Sequence, residues 1–206
     1  MCRSASLLAC QHPGHGCEKP PPPWHEELRL RNGLDVLVRP IRPEDAPVLS
    51  AGFELLEPRE TARHLLRGAR SVDADDASHL AQPDARTTFT LVVAERLPPG
   101  EAMISALGHA TIAADAREAR FTLLVGRNVA GMGLGRHLLR RVVRWARGKR
   151  LAAVHGDVPE GNGPLMDLAL SMGFGVVEGA DPGFVRVRLP LAAATPVVVG
   201  ADGPPG

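Results

Sequence analysis

The sequence predicts an α/β domain with a mixed central sheet flanked by helices on both faces, in the order β-α-α-β-β-β-α-β-α-β. Three observations predict it. Short β-rich runs alternate with stretches whose apolar residues recur at helical spacing. Glycine takes every second position in Gly131-Met132-Gly133-Leu134-Gly135, between the strand-like run Phe121-Thr122-Leu123-Leu124-Val125 and a basic helix-like stretch from Arg136 to Arg150. The 206 residues, 44% hydrophobic, suffice for one domain with a full core, and no internal repeat breaks them into smaller units.

Leu34 to Arg39 is β-rich and precedes Pro40, so it reads as a first strand. Arg42-Pro43-Glu44-Asp45-Ala46 opens a helix: Pro43 suits the first turn, and Glu44 and Asp45 suit the positive end of its dipole. Helical spacing over residues 46–67, interrupted at Pro58, predicts two helices. Thr87–Ala94 and Ala102–Ile112 form a hairpin around the turn Pro98-Pro99-Gly100, and Glu118–Val125 is a further strand. After the glycine run, Leu134, Leu138, Val142 and Trp145 form one apolar stripe on a helix that Gly148 ends. Ala152–His155 is a buried strand. Asn162 and Pro164 start another helix that finishes at Gly173, and Phe184–Leu189 alternates as the last strand.

Composition narrows the function. A net charge of +1 gives no general case for nucleic acid or anionic membranes as partners, and no apolar run is long enough to span a bilayer. Tyrosine is absent, which removes the phenol from the possible general acids. All three cysteines, Cys2, Cys10 and Cys17, precede the predicted fold, an arrangement that fits a reducing cytoplasm. Residues 1–23, with the spacer Pro20-Pro21-Pro22-Pro23, read as a disordered extension, 24–190 as the domain and 191–206 as a flexible tail. The run Cys10-Gln11-His12-Pro13-Gly14-His15-Gly16-Cys17 carries metal-ligand residue types at a spacing that matches no established zinc module, and we assign it no metal.

A strand that turns through glycines into a helix makes an anion site. Glycines admit a phosphate close to the backbone, and the first helical N–H groups have no partner inside the helix. The run is not a dinucleotide fingerprint, since Arg136 stands at the third glycine position and no acidic residue ends the next strand. It is not a Walker loop, since Gly-Lys-Ser/Thr is missing. In context, Ala130 to Gly135 resembles the acyl-CoA-binding signature Gln/Arg-x-x-Gly-x-Gly/Ala of the GNAT acetyltransferases. The segments Val38-Arg39-Pro40-Ile41-Arg42-Pro43-Glu44-Asp45, Asn162 with Met172-Gly173-Phe174, and Asp181 to Leu189 make the chain most similar to the bacterial protein-lysine branch of that family, over residues 28–190.

The resemblance implies an N-acetyltransferase in which an amine acceptor, a small molecule or a protein lysine, attacks acetyl-CoA directly in a ternary complex. It implies that the pantetheine arm pairs with main-chain groups of Leu123, Leu124 and Val125 where this strand splays from its neighbour near Val154. The amides of Ala130, Gly131, Met132, Gly133, Leu134 and Gly135 would hold the pyrophosphate, with Arg136 adding charge and Asn162 touching the arm. The sequence departs from the family at Ala130, where Gln or Arg is usual, at Arg127, where Asp is frequent, and at Arg120, where the lysine branch carries the Glu taken as its base. Arginine cannot serve as that base. Glu118, two residues earlier on the same strand face, and His155, at a strand end, are the replacement candidates, with His109 a further imidazole. The competing reading is a catalytically impaired acyl-CoA-binding regulatory module.

Overall fold

The computed structural model describes residues 24–55, 74–112 and 117–191. Among them, β1 (Glu26–Arg29), β2 (Asp35–Pro40), β3 (Thr88–Glu95), β4 (Ile104–Ile112), β5 (Glu118–Val125), β6 (Ala153–Pro159), β7 (Gly175–Val177) and β8 (Phe184–Pro190) form one sheet. Its spatial order is β1-β2-β3-β4-β5-β6-β8-β7. The helices are α1 (Ala46–Leu55), α2 (Ala74–Ala81), α3 (Leu134–Gly148) and α4 (Gly163–Ser171). Neighbouring strands run antiparallel except β5 and β6, which are parallel because α3 carries the chain back between them.

Alternation along the strands builds a core on each face. Leu91, Val93, Phe121 and Leu123 point to the face covered by Leu138, Leu139 and Val142 of α3. Val92, Leu107 and Leu124 point to the other, where Leu49 of α1 and Ala77, Leu80 and Ala81 of α2 cover them. Helix α3 lies close on β4, because a Cβ at Gly108 would stand 3.1 Å from Leu138 Cβ.

The predicted mixed sheet with helices on both faces is present, with two strands more. β1 is a charged four-residue strand that pairs with β2, and the short β7 pairs with β8. The second helix predicted within 46–67 lies, with Pro58, outside the described residues; the second helix among the described residues is α2, further along. The N-terminal extension with its cysteines and the segment 192–206 also lie outside them.

Asp45 does more than favour a helix dipole. It is fully buried and receives Arg39 Nη1 at 2.6 Å and Nη2 at 2.8 Å, with Arg42 N donating at 2.9 Å and Gly100 N at 3.3 Å. Burial raises its carboxyl, the Arg39 and backbone hydrogen bonds outweigh that, and the net shift is downward. One carboxylate thereby ties β2, the entry to α1 and the β3–β4 turn together.

Candidate functional site: a glycine cradle and a fork in the sheet

Gly131 and Gly133 have φ of +74° and +86°, the left-handed region that costs an L side chain strain. A Cβ at either would meet nothing within 4 Å, so conformation and not crowding calls for glycine there. Gly133 caps α3 without any side chain accepting from the first turn. Met132 N donates to Val129 O at 3.4 Å, whereas the N–H groups of Gly131, Gly133, Leu134 and Gly135 reach no backbone carbonyl among the described residues. Gly131 and Gly133 are exposed, and the buried Leu134 side chain anchors the turn in the core. Gly135 allows close packing, since its Cβ would stand 3.1 Å from Leu168 Cδ2 of α4. These unpaired amides stand at the positive end of a 15-residue helix, where the partial charge favours an anion.

β5 and β6 pair only through Glu118–Ala153, Ala119–Val154 and Arg120–His155. Beyond that vertex β6 runs with β8, and Phe121–Val125 of β5 remains paired to β4 alone. The fork opens toward the glycine cradle, because the cradle follows the far end of β5. Leu123 and Leu124 are buried and face opposite cores, which leaves their main chain as the part able to meet a ligand in the fork. At the same end of β5 a pocket of about 610 Å³ is lined by residues including Val48, Glu101, Met103, Ser105, Val125 and Gly126.

The α1/α2 face of the vertex carries a ladder of charge. Arg120 Nη2 donates to Asp157 Oδ2 at 3.0 Å, and Arg186 grips the same carboxylate with Nε at 2.6 Å and Nη2 at 3.0 Å. The Asp157 side chain is 1% exposed; burial raises its carboxyl, but the arginines lower it further than burial lifts it. Glu118 receives Arg188 Nη2 at 2.8 Å, and that bond holds its carboxyl below the usual range. His155 Nδ1 is buried 3.4 Å from Glu118 Oε2, without hydrogen-bond geometry. Burial first, and the charge of Arg186 next, lower the His155 pKa against the pull of Glu118 and Asp157. Near neutral pH His155 is therefore uncharged and able to accept a proton, whereas Glu118 is a firmly ionised, weakly basic group.

The structure thus brings Glu118 and His155 together at the vertex, with Arg120 on the same face. His109 lies one strand over on β4, opposite Thr122: 9% exposed, it sits between Thr90 Oγ1 and Thr111 Oγ1, each 2.8 Å from a ring nitrogen, and burial pulls its pKa down to about 4. Asn162 uses its side-chain oxygen to cap α4, accepting from Leu165 N at 3.1 Å. Arg136 donates to Ser171 Oγ at 2.6 Å, tying the cradle to the end of α4, and Ala130, at the start of the turn, is exposed. Sequence reasoning did not single out Asp157, Arg186 or Arg188 as part of the site. The available signal was the alternation Phe184-Val185-Arg186-Val187-Arg188-Leu189, which puts both arginines on one face of β8.

Solved structures share this architecture. The GNAT domain of S. lividans PAT superposes with a TM-score of 0.68 at 21% identity, covering 84% of this chain and all of that one. Arabidopsis thaliana NAA60 in complex with a bisubstrate analogue gives 0.59 at 16%, covering 76% and 99%. An acetyltransferase from Thermus thermophilus gives 0.55 at 22%, covering 76% and 97%. At such identities the likeness speaks for the fold. The sequence itself matches the model of the acetyltransferase (GNAT) family over residues 60–174, more than half its length. The chain therefore belongs to the GNAT acetyltransferase family.

Proposed function

We propose that the protein is an acyl-CoA-dependent N-acetyltransferase. In this reading acetyl-CoA lies in the β5/β6 fork with its diphosphate on the amides of Gly131–Gly135, and an amine attacks from the α1/α2 face. The observation that carries it is the pairing of two features on one strand: β5 loses its β6 partner after Arg120 and then runs into a left-handed glycine turn with unpaired amides. The acceptor is a small amine or, as for the lysine branch the sequence resembles, a protein lysine.

The chemistry follows from the groups present. An alkylamine of pKa about 10.4 arrives protonated and must lose a proton before it attacks the thioester carbonyl. His155 is the group we assign to take it. Its depressed pKa keeps it neutral at pH 7, and Glu118, held on Arg188, lies beside its buried nitrogen and stabilises the imidazolium that forms. Main-chain N–H groups on the unpaired edge of Phe121–Val125 stabilise the tetrahedral oxyanion. The thiolate leaves readily, since its conjugate acid has a pKa near 8.5. Ala130 contributes only its main chain, so the site lacks a side chain but keeps its cradle. Among the described residues no helix is long and apolar enough to cross a membrane. We assign the reaction to the cytoplasm, in keeping with the confinement of cysteine to residues 1–17.

The test is thiol release from acetyl-CoA with a panel of amines and lysine peptides, alongside calorimetric titration of acetyl-CoA. Saturable binding with amine-dependent release that Gly133→Val abolishes supports the reading. Binding with no acceptor turned over favours the regulatory module, for which Arg120 and Ala130 in place of the usual side chains are the supporting observations. No binding rejects both.

A further inference from the structure

The fork is closed at its vertex on both faces. On the α1/α2 face the Arg120–Asp157 bridge spans the point of divergence. On the α3 face the Phe121 ring lies over the bare backbone of Gly156. A Cβ at Gly156 would stand 2.5 Å from Phe121 Cε1 and 2.7 Å from Cζ, so the ring occupies the space a side chain on β6 would need. The ring is fixed there by an edge-to-face contact with Phe174 at 5.4 Å, and both rings are buried, at 3% exposure each. Open space lies at the other end of β5, in the pocket beside Val125 and Gly126.

This distribution of filled and open space bears on the acyl group. With the diphosphate on the cradle, an arm in the fork can extend only back along β5 toward the vertex, about 13 Å from Val125 to Phe121 at strand rise. The acyl group is the leading end of that arm, and Phe121 is the side chain that fills the vertex on the α3 face. On this placement of the donor a two-carbon acyl group would end short of the ring, and each added methylene would have to displace a ring that Phe174 and the Gly156 backbone hold in place. We infer that Phe121 sets the acyl-chain length of the donor, so that the site takes acetyl thioesters and excludes longer ones. The inference rests on the fork being the donor site.

The experiment is a calorimetric series of CoA, acetyl-CoA, butyryl-CoA and hexanoyl-CoA on the full chain and on Phe121→Ala. Kinetic constants for the same thioesters are added if an acceptor is found. The wild type should bind acetyl-CoA at least about tenfold more tightly than butyryl-CoA, the scale on which apolar pockets resolve methylenes. Phe121→Ala should erase most of that preference and leave the affinity for CoA unchanged. Phe121→Leu, which shortens the obstruction and keeps an apolar body, carries the same test if the alanine variant does not fold. Gly156→Ala is the converse, its methyl driving the ring into the gap and weakening acetyl-CoA more than CoA. Equal wild-type binding of acetyl- and butyryl-CoA, or an unchanged preference in the Phe121 variants, overturns the inference and leaves the donor site standing. Failure of the wild type to bind CoA or any thioester overturns the donor site and the inference with it.

Discussion

Arg120 Nη2 and Asp157 Oδ2 stand 3.0 Å apart across the point where β5 and β6 cease to pair. The resemblance implies a base at position 120, and the arginine found there has the geometry of a fastening. It pins β5 to β6, and Arg186 pins β6 to β8 through the same carboxylate. Removing the shared acceptor while keeping its shape leaves two guanidinium groups, each about one-third exposed, facing an amide. Asp157→Asn should therefore lower stability by about 2 kcal/mol, less than a fully buried pair would lose. Urea unfolding of the variant checks this, and a loss too small to resolve would show that the bridge contributes little.

His155→Gln should reduce kcat by about 10²- to 10⁴-fold with little change in acetyl-CoA affinity, as expected for loss of a general base. The pH profile supplies a second readout. A lowered pKa keeps the ring neutral below 6.5, so the acidic limb of wild-type kcat should lie below 6.5 and vanish in the variant. Glu118 pulls the His155 pKa upward, so Glu118→Gln should move that limb to still lower pH. A limb that moves up, or does not move, would remove Glu118 from this role.

His109 predicts a loss of stability in mild acid. Above its ordinary value of 6.5 the ring is neutral whether the chain is folded or not. Between there and about 4 the unfolded chain takes up a proton that the buried ring refuses, so stability falls as pH falls. The span of that shift corresponds to at most about 3 kcal/mol. Denaturant unfolding of wild type and His109→Asn, compared at neutral pH and about pH 4.5, should show a steeper decline for the wild type.

Gly133→Val forces a β-branched residue to a φ of +86°. The strain should cost about 1–3 kcal/mol, and relaxing it should turn the cradle amides away from the ligand. Acetyl-CoA affinity should then fall at least about tenfold, well beyond the effect of Arg136→Gln, which removes a single half-exposed charge worth about 1 kcal/mol or less. Calorimetry on variants verified as folded separates the two.

The central part of the fold was legible because its signals are local. The stripe Leu134, Leu138, Val142 and Trp145 does line the buried side of α3, and the glycines before it do take left-handed conformations. β1 was not legible because Glu26–Arg29 has one apolar side chain, Leu28, among three charged ones. Its strand state comes from pairing with β2 and from Trp24 packing edge-on against Phe89 at 4.8 Å. β7 was too short to carry a period. Within the site, Glu118 and His155 were found as single residues, but the partners that decide their chemistry lie on β8, with Arg188 70 residues from Glu118, and no local pattern links them. Asp45 shows the same limit: as a sequence position it reads as a dipole partner, and only the fold reveals the buried Arg39 beside it.

Three residue pairs join β5 to β6, where β4–β5 and β6–β8 are each laced by seven. The seam proposed to receive the donor is thus the thinnest main-chain joint in the interior of the sheet, and what lies from β6 onward is a leaf tied across it by three residue pairs, the Arg120–Asp157 and Glu118–Arg188 bridges and the shared core. Such a leaf is suited to open as one unit, with its amides exchanging hydrogen together and ahead of those in β3 and β4. A molecule lying in the seam and held by both sides would act as a clasp, so the rate at which this leaf breathes is bound to whether the donor is in place.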